Sequence, residues 1–302
     1  HRLYDTSRGA LKNVISSAQN AEATTANSLT SFDSNGFTLG SDDNSNQNSK
    51  TFVGWQWKAN GGTTTTNDAS ATGVGTIDSV LQANTTAGFS IVTYTGTGSA
   101  GTIAHGLGAT PHWVLVRNRS TGSRQWYNQH IGNTSASKGQ ALNSNGAEQT
   151  LSAVFGDTRA SSTVFTVGDN NSVNDSGDNY IAYIFAPIKG YSKFGSYTGN
   201  GNTDGAFVYT GFKPAFVLTK RTDSTNDWEI QDSARSDFNV CDEGLYPNLS
   251  SAEGDTDRYD LLSNGIKMRT SGGMNQSGGT YIYIAFAEHP FVSSKGVPTT
   301  AR

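Results

Sequence analysis

Apolar and polar residues alternate over short stretches along most of the chain, which is the pattern of β-strands whose successive side chains point to opposite faces. Strand-like examples are FSIVTYTG (89–96), HWVLVRNR (112–119) and YIYIAFAE (281–288), the last of which is apolar on both faces. Segments rich in Gly, Ser, Asn and Asp separate these stretches and are typical of tight turns. Many short strands with frequent turns indicate an all-β sandwich or barrel. One segment, 11–22, has some helical character, which its Ser and Asn residues weaken.

The strand pattern occurs more than once. PHWVLVR (111–117) aligns with PAFVLTK (214–220) at an offset of 103 residues, and the sequences that flank the two segments match as well. A third, partial copy lies at the start, where LYDTSR (3–8), SNGF (34–37) and TFVGWQWKA (51–59) match IQDSAR (230–235), SNGI (263–266) and TYIYIAFAE (280–288). A period near 100 residues suits a domain with its own core, so the copies are expected to follow one another like beads on a string.

These patterns predict an all-β fold of tandem β-sandwich, jelly-roll-like modules of about 100 residues, with the first module incomplete. The predicted parts are back strands of a partial module at 1–59, a Gly/Thr-rich linker at 60–75, a second module at 76–189, a third at 190–292 and a C-terminal tail at 293–302. A partial sandwich leaves strand edges unpaired. An upstream segment, a cleaved partner segment or a neighbouring subunit is therefore expected to complete the first module.

The closing strand of each full module is apolar on both faces. In the third module Ile282, Ile284 and Phe286 share one face, whereas two tyrosines and an alanine share the other. Such a strand is either central and covered on both sides or packed against a neighbouring chain. The pattern favours a homo-oligomer over a loop that covers the second face. If the modules are independent, Ile284→Asp should unfold the third module alone.

Composition narrows the classes of function. Charged residues are only 15% of the chain and the net charge is −4, which argues against nucleic-acid binding. The sequence contains no run of 18 apolar residues that would insert into a membrane, and the lone Cys241 allows no intrachain disulfide. The five histidines lack metal-ligand spacing, and no P-loop, nucleophile elbow or dinucleotide fingerprint occurs. We therefore expect no enzyme.

Charged side chains recur at equivalent places in the modules. They are Glu22, Glu148 and Glu253 in all three, and Asp5 with Arg8 and Asp232 with Arg235 in the first and third. Two carboxylates facing one sugar would suggest a glycosidase, but the second module has His130 in place of the aspartate. The favoured interpretation is structural, with the carboxylates accepting backbone N–H groups or pairing with arginine.

Two other features suggest ligands. The Asp/Asn-rich segments 41–48 and 168–179 could ligate calcium, although these residues also form turns for backbone reasons, which is the favoured interpretation. Trp113, Trp126 and Trp228 could stack on sugar rings, but repeated core tryptophans are the better explanation.

The repeated phrases also carry a family resemblance. They are AGFSIVTYTGTGSAGTIAHGLGATPHWVLVRNR (87–119), YSKFGSYTGNGNTDGAFVYTGFKPAFVLTKR (191–221), GGTYIYIAFAEHPF (278–291) and the terminal KGVPTTAR. They resemble repeated-module proteins of marine tailed bacteriophages, labelled tail fibre or virion structural protein. The resemblance implies a location on the virion surface, other virion proteins as partners, attachment to a host-surface glycan or protein, and no assigned catalytic residues. By analogy with fibres, it also implies that the homo-oligomer is a trimer. The alternatives are a purely structural capsid decoration or fibre shaft and a polysaccharide-degrading tail spike.

A receptor-binding surface should lie on turn loops at module ends, where a rigid scaffold tolerates variation. The candidate residues lie in the loops 97–101, 120–124, 170–178, 200–205 and 222–227, and they are Thr97, Gly98, Ser120, Arg124, Asn170, Asn171, Asp175, Asp178, Asn200, Asn202, Asp223 and Asn226. Because the chain carries little net charge, recognition is expected to depend weakly on salt.

Overall fold

The alternating stretches form antiparallel strands, as their pattern predicts. A computed structural model describes residues 1–236 and 238–287, and its strands are joined by turns and by helices of a single turn. The prediction of an all-β sandwich architecture is confirmed. Among the described residues, no helix is long and apolar enough to cross a membrane. The predicted tail at 293–302 lies outside the described residues.

The first module contains a three-stranded sheet in the order β1-β2-β3 and a hairpin of β4 and β5. Its elements are β1 Arg2–Leu3, β2 Lys12–Ile15, β3 Ala23–Thr24, β4 Leu29–Asp33, β5 Gly36–Leu39 and α1 Asp43–Asn46. Strand β2 lies in the segment 11–22, so the helical interpretation of that segment is wrong. The β-branched residues Val14 and Ile15 favour a strand, and pairing with β1 on one side and β3 on the other satisfies its backbone.

The second module contains an eight-stranded sheet in the order β13-β12-β11-β10-β15-β8-β7-β6 and a smaller pair, β14-β9. Its elements are β6 Thr65–Asn67, α2 Ala69–Thr72, β7 Ser79–Asn84, β8 Phe89–Thr95, β9 Gly101–Ala104, β10 Trp113–Asn118, β11 Tyr127–His130, β12 Lys138–Ala141, β13 Gln149–Thr150, α3 Ser152–Phe155, β14 Val164–Val167, α4 Asn171–Asn174 and β15 Asn179–Phe185. The predicted linker at 60–75 is thus partly structured. It supplies the edge strand β6 and the helix α2, which the Asp68 side chain caps.

The third module contains two four-stranded sheets, β16-β23-β18-β19 and β17-β22-β21-β20. Its elements are β16 Ser192–Thr198, β17 Phe207–Tyr209, β18 Pro214–Arg221, β19 Glu229–Asp232, β20 Cys241–Gly244, β21 Gly254–Leu262, β22 Gly265–Met268, a 3₁₀ turn Gly273–Asn275 and β23 Thr280–Ala287. The order β19-β18-β23-β16 repeats the order β11-β10-β15-β8 of the second module. The repeat alignment is therefore correct for the two full modules.

Each full module has its own core between its two sheets. In the second module this core includes Val114 and Ile184, which face each other across β10 and β15. In the third module it includes Val217, Ile266 and Met268. The opposite face of each large sheet packs into a further group of side chains, the central cluster. It contains Val14, Ala59, Phe89, Ile91, Trp113, Leu115, Trp126, Leu142, Ile181, Tyr183, Phe185, Phe194, Phe216, Leu218, Trp228, Ile230, Ile282, Ile284 and Phe286, with Trp55 and Trp57 packed against them.

The central cluster joins all three modules. The equivalent residues Trp57, Phe185 and Phe286 meet there, with ring centroids 6.4, 5.3 and 5.7 Å apart for the pairs 57–185, 57–286 and 185–286. The image of beads on a string is therefore wrong, since the modules share a core. The second apolar face of the closing strands is covered by other modules of the same chain, and not by a loop.

Residues 51–59 were expected to form a strand, but the structure assigns no strand to them. Their alternation persists, since Trp55 and Trp57 pack into the central cluster while Phe52 is 52% exposed. The equivalent strands β15 and β23 are each flanked by two neighbours. The described part of the first module contains no strand at either of those flanking positions, and a lone extended segment cannot form a ladder.

Candidate functional site

Two stacked tyrosines support the loops at one end of the second module. Tyr94 and Tyr180 face each other across β8 and β15, with ring centroids 5.0 Å apart. The Tyr94 hydroxyl donates to the Val173 carbonyl at 2.6 Å, and the Tyr180 hydroxyl donates to the Asn171 carbonyl at 2.9 Å and accepts from the Asp175 N–H at 2.6 Å. Burial raises the pKa of Tyr180 to about 12, so its hydroxyl stays a donor at neutral pH. The segment around α4 is thereby held to the sheet.

A buried asparagine joins that segment to the loop after β8. The Asn174 Oδ1 atom accepts from the Thr97 N–H at 2.8 Å, and its Nδ2 donates to the carbonyls of Ser99 at 2.6 Å and Gly168 at 2.8 Å. A third loop joins them, because the Ser120 Oγ accepts from the Asn179 N–H at 2.8 Å and Arg124 pairs with Asp175 at 3.2 Å. We call residues 97–101, 120–124 and 170–178 the second-module loop end.

The third module repeats this arrangement. Tyr197 and Tyr281 stack at 4.9 Å and donate to the carbonyls of Met274 at 2.7 Å and Gly273 at 2.8 Å. The Asn275 Oδ1 accepts from the Asn200 N–H at 3.1 Å, while its Nδ2 donates to the carbonyl of Asn202 at 2.8 Å. The structure thus brings the loop 200–205 against residues 270–279.

The predicted loop 222–227 belongs to the same end of the third module. Asp223 accepts from the Thr280 N–H at 2.9 Å and pairs with Arg221 at 2.9 Å. The hydrogen bond from Arg221 lowers the pKa of Asp223 to about 2, so this carboxylate is charged at neutral pH. Asn226 lies nearby, with its Nδ2 3.9 Å from the Met274 sulfur. We call residues 200–205, 222–227 and 270–279 the third-module loop end.

All twelve predicted receptor residues therefore fall into two clusters, one on each full module. Seven of them are exposed, namely Thr97, Gly98, Ser120, Asn171, Asn200, Asn202 and Asp223, and the other five are half-buried. A surface groove of about 420 Å³ lies beside the second-module loop end and is lined by Thr76, Ile77, Asp78, Thr95, Gly96 and Thr97. The surface offers hydroxyls, amides and a few carboxylates on a rigid base, which suits hydrogen bonding to a polar ligand.

The Asp/Asn-rich segments use their side chains as helix caps. Asp42 accepts from the Asn44 N–H at the start of α1, and Asn170 accepts from the Ser172 N–H at the start of α4. Within residues 1–236 and 238–287, no group of three or more His, Cys, Asp or Glu side chains is placed to hold a metal ion. These contacts follow the turn interpretation of the two segments.

The recurring glutamates lie where two modules meet or beside a module's own arginine. Glu22 pairs with Arg8 at 3.3 Å and with Arg119 of the second module at 2.9 Å. Burial opposes ionisation, but the Arg119 hydrogen bond and the Arg8 charge lower the pKa of Glu22 overall. Glu253 pairs with Arg235 at 2.8 Å, and Glu148 accepts from the Thr134 N–H at 3.0 Å. These are the contacts that the structural interpretation predicts.

The recurring aspartates lie at junctions between modules, which sequence reasoning missed. The Tyr183 hydroxyl of the second module donates to Asp5 at 2.8 Å, and the Trp55 indole of the first donates to Asp232 of the third at 3.0 Å. Arg8 and Arg235 each pair with the aspartate three residues earlier, the latter at 2.7 Å. The sequence repeat could have revealed these contacts, since Tyr183 and Trp55, which donate to the two aspartates, occupy equivalent positions in the alignment of the modules.

The tryptophans considered as sugar platforms belong to the core. Trp126 and Trp228 are fully buried, and their indoles donate to the carbonyls of Ile15 at 3.0 Å and Ala141 at 3.1 Å. Each bond crosses from one module to the next. Trp113 is also buried and stacks on Phe185 at 5.2 Å.

An exposed aromatic pair lies elsewhere, on the edge strand β17. Phe207 and Tyr209 are 46% and 57% exposed, while Val208 between them is buried. The Lys193 ammonium lies 4.8 Å from the Tyr209 ring centroid. The alternation in FVY was visible in the sequence, but only the structure shows that its outer face stays uncovered by the described residues.

Comparisons with known proteins give one match. A family model described as "Domain of unknown function (DUF7483)" matches residues 1–290. No curated protein and no solved structure matches the chain.

Proposed function

We propose, on the premise that this chain belongs to the DUF7483 family of domains of unknown function, that it is a surface protein of a bacteriophage particle that attaches to a host glycan. The observation that carries the proposal is the loop end, which is built in the same way on the second and third modules. Both modules pack into the central cluster, so the two loop ends belong to one folded unit. When the first of two linked sites has bound a ligand, the effective concentration of that ligand at the second site is raised.

The chemistry of the loop ends favours a sugar over a charged polymer. Exposed Asn171, Asn200 and Asn202 supply amide donors and acceptors, and Thr97 and Ser120 supply hydroxyls. Sugar hydroxyls match such groups. Outside the loop ends, the exposed rings of Phe207 and Tyr209 on β17 offer apolar faces on which a sugar can stack. Binding is expected to depend weakly on salt because few ion pairs would form.

The assignment to a phage particle rests on the resemblance of the repeated phrases. The same resemblance leads us to propose a location on the virion surface, other virion proteins as partners and a homo-oligomer, with a trimer favoured. The trimer no longer draws support from the two-sided strands, since those faces are covered within one chain. Sedimentation velocity at micromolar concentration tests it, and a chain that stays monomeric would remove the trimer from the proposal.

A glycan array built from host-surface polysaccharides tests the binding function. We expect the protein to bind at least one polysaccharide, and Asn171→Ala together with Asn202→Ala to weaken that binding at least tenfold. The matched control is Asn35→Ala, which removes an exposed asparagine at the turn between β4 and β5. Equal loss in the control, or no binding to any polysaccharide, would refute attachment through the loop ends.

Two further measurements separate the rival roles. Immunogold electron microscopy of phage particles should place the protein on the particle surface, and unlabelled particles would refute the virion assignment. Release of reducing sugar from a bound polysaccharide would instead support a degrading tail spike. A particle component that binds no glycan would support a purely structural capsid decoration or fibre shaft.

A further inference from the structure

One repeated position contacts another module in all three cases, but its chemistry differs in one of them. The residues at this position are Asp5, His130 and Asp232. Asp5 of the first module accepts from the Tyr183 hydroxyl of the second at 2.8 Å. Asp232 of the third module accepts from the Trp55 indole of the first at 3.0 Å. The third module has an isoleucine at the position of these two donors, so His130 takes the place of a carboxylate at a junction that offers no donor there.

Two imidazoles of the second module pack against one aromatic ring of the third. Phe194 on β16 is buried, and its ring centroid lies 6.2 Å from that of His112 and 6.2 Å from that of His130. Among residues 1–236 and 238–287, the Nδ1 of His112 and the Nε2 of His130 are buried without a hydrogen-bond partner. The junction between the second and third modules therefore holds two titratable rings that are not fully bonded.

The hydrogen bonds of His130 decide where a further proton would go. Its Nδ1 accepts from the Gly132 N–H at 3.0 Å, so Nε2 carries the hydrogen of the neutral ring. Gly132 packs directly on the third module, since a Cβ added to it would lie 2.9 Å from the Gly195 carbonyl oxygen. A proton on Nδ1 removes the acceptor of Gly132 and sets two N–H groups against each other. Protonation therefore disturbs the residue that packs on β16.

The charged groups of the second module near these rings do not compensate a proton. Arg159 donates to the His130 carbonyl and brings a positive charge. The carboxylate of Glu148 is used by the Thr134 N–H, from which it accepts at 3.0 Å. Burial, together with the Arg159 charge, lowers the pKa of both His112 and His130, so both rings are neutral at pH 7 in the closed junction.

The third module also offers no negative charge to the two rings. The Tyr283 backbone faces His130 without a hydrogen bond of normal geometry, and burial raises the pKa of the Tyr283 phenol to about 12, so the phenol is neutral. Lys193, which precedes Phe194 on β16, is a cation, and its ammonium donates to the Tyr209 carbonyl at 2.7 Å. A second positive charge at this junction would be buried among groups that repel it.

We propose that acid opens the contact between the second and third modules, because protonation of His130 and His112 drives Gly132 away from β16. Phe194 then becomes accessible to water. The first module stays bound to both of the others through its own junction contacts, so the chain opens at one junction and does not come apart. The change reverses when the pH returns to neutral. This inference does not depend on the glycan-binding role.

Hydroxyl-radical footprinting of the full chain at pH 7.5 and pH 4.5 tests the proposal, since it measures the access of water to side chains. Trp228 and Trp126 form a matched pair, because both are fully buried at equivalent positions. Trp228 donates to Ala141 across the junction in question, and Trp126 donates to Ile15 across the junction between the first and second modules. An imidazole released from the junction protonates below about pH 6.5. Oxidation of Trp228 and Phe194 should therefore rise at least fivefold at pH 4.5, and that of Trp126 less than twofold.

Three variants assign the effect to the junction histidines. His130→Gln should reduce the rise at Trp228 at least fivefold. His112→Ala, which introduces the residue of the equivalent position in the third module, should shift the rise to lower pH. The matched control is His105→Gln, which should leave the rise unchanged, because the fully buried ring of His105 contacts only the backbone of its own module at residues 107 and 161 among the hydrogen bonds of the described chain.

Circular dichroism at pH 7.5 checks that each variant is folded, and His112→Ala carries the test if His130→Gln is not. Equal rises at Trp126 and Trp228 would show that acid unfolds the whole chain, and this would overturn the proposal. No rise at Trp228, a rise that neither junction variant changes, or a rise that His105→Gln abolishes would overturn it as well.

Discussion

Two isoleucines of the third module test whether the central cluster couples the stability of one module to that of the others. Ile284 and Ile266 are both fully buried, but Ile284 packs in the central cluster and Ile266 packs in the module's own core. Replacing either by alanine removes the same atoms. Each substitution should cost about 2–5 kcal/mol, because a buried isoleucine leaves a cavity that the surroundings fill only in part. That is a large share of the roughly 5–15 kcal/mol by which a domain is stable.

The two variants should differ in which strands lose protection from hydrogen exchange. Ile284→Ala weakens a cluster that includes Val14 of the first module and Phe185 of the second. Native-state hydrogen exchange should therefore become faster in β10 and β15 as well as in β18 and β23. A loss of about 2 kcal/mol corresponds to a roughly 30-fold increase in the exchange rate. Ile266→Ala should confine its effect to residues 192–287.

Urea unfolding followed by tryptophan fluorescence supplies the second readout, since the lowered midpoint of each variant confirms the size of the loss. The reasoning fails if Ile284→Ala speeds exchange in the third module alone. That outcome is what the sequence led us to expect for Ile284→Asp, before the structure placed Ile284 in the shared cluster. It would mean that the central cluster contributes little to stability.

Four further substitutions probe the loop end, a buried histidine and the module junctions. Asn174→Ala removes three hydrogen bonds, so it should cost about 1–3 kcal/mol, seen as a lower urea midpoint, and speed exchange at Thr97. Burial, with the charges of His112 and Arg159, lowers the pKa of His130 to about 3, so the folded state keeps its ring neutral. Stability should be full above pH 6.5 and should fall as the pH drops toward 3, because the unfolded chain binds the proton first; His130→Asn should flatten this dependence of the unfolding midpoint. Trp126→Phe and Trp228→Phe each delete an indole donor to the preceding module and should each lower the unfolding free energy by about 1–3 kcal/mol; no change in either midpoint would contradict the importance of these bonds.

The sequence predicted the strands of the full modules because their side chains alternate, and the repeat fixed which strands are equivalent. The pairs Trp113↔Phe185 and Phe216↔Phe286 show that this equivalence extends to the register. Alternation also showed that the closing strands have two apolar faces. It could not show what covers the second face, since burial against a module of the same chain and burial against a neighbouring chain select the same side chains.

Local composition predicted the structure less well in segments whose structure depends on pairing with other strands. Strand β2 forms at Lys12–Ile15 because β1 and β3 offer it partners, whereas residues 51–59 alternate equally well and form no ladder. The loop ends depend on partners that are still farther apart, such as Thr97 and Asn174, 77 residues away. The turn composition predicted the loops, but only the sheet order brings them together.

The contact between Trp55 and Asp232 spans 177 residues and has a consequence for the protein's synthesis. At about 5–20 residues per second, the ribosome needs roughly 10–35 seconds to extend the chain from one partner to the other. During that interval the tryptophans of residues 51–59 have no Phe216 to pack against and remain accessible to water and to other nascent chains. Residues 51–59 must therefore wait until Phe216 and Asp232 have been translated, and holding chaperones would meet this segment first at Trp55 and Trp57.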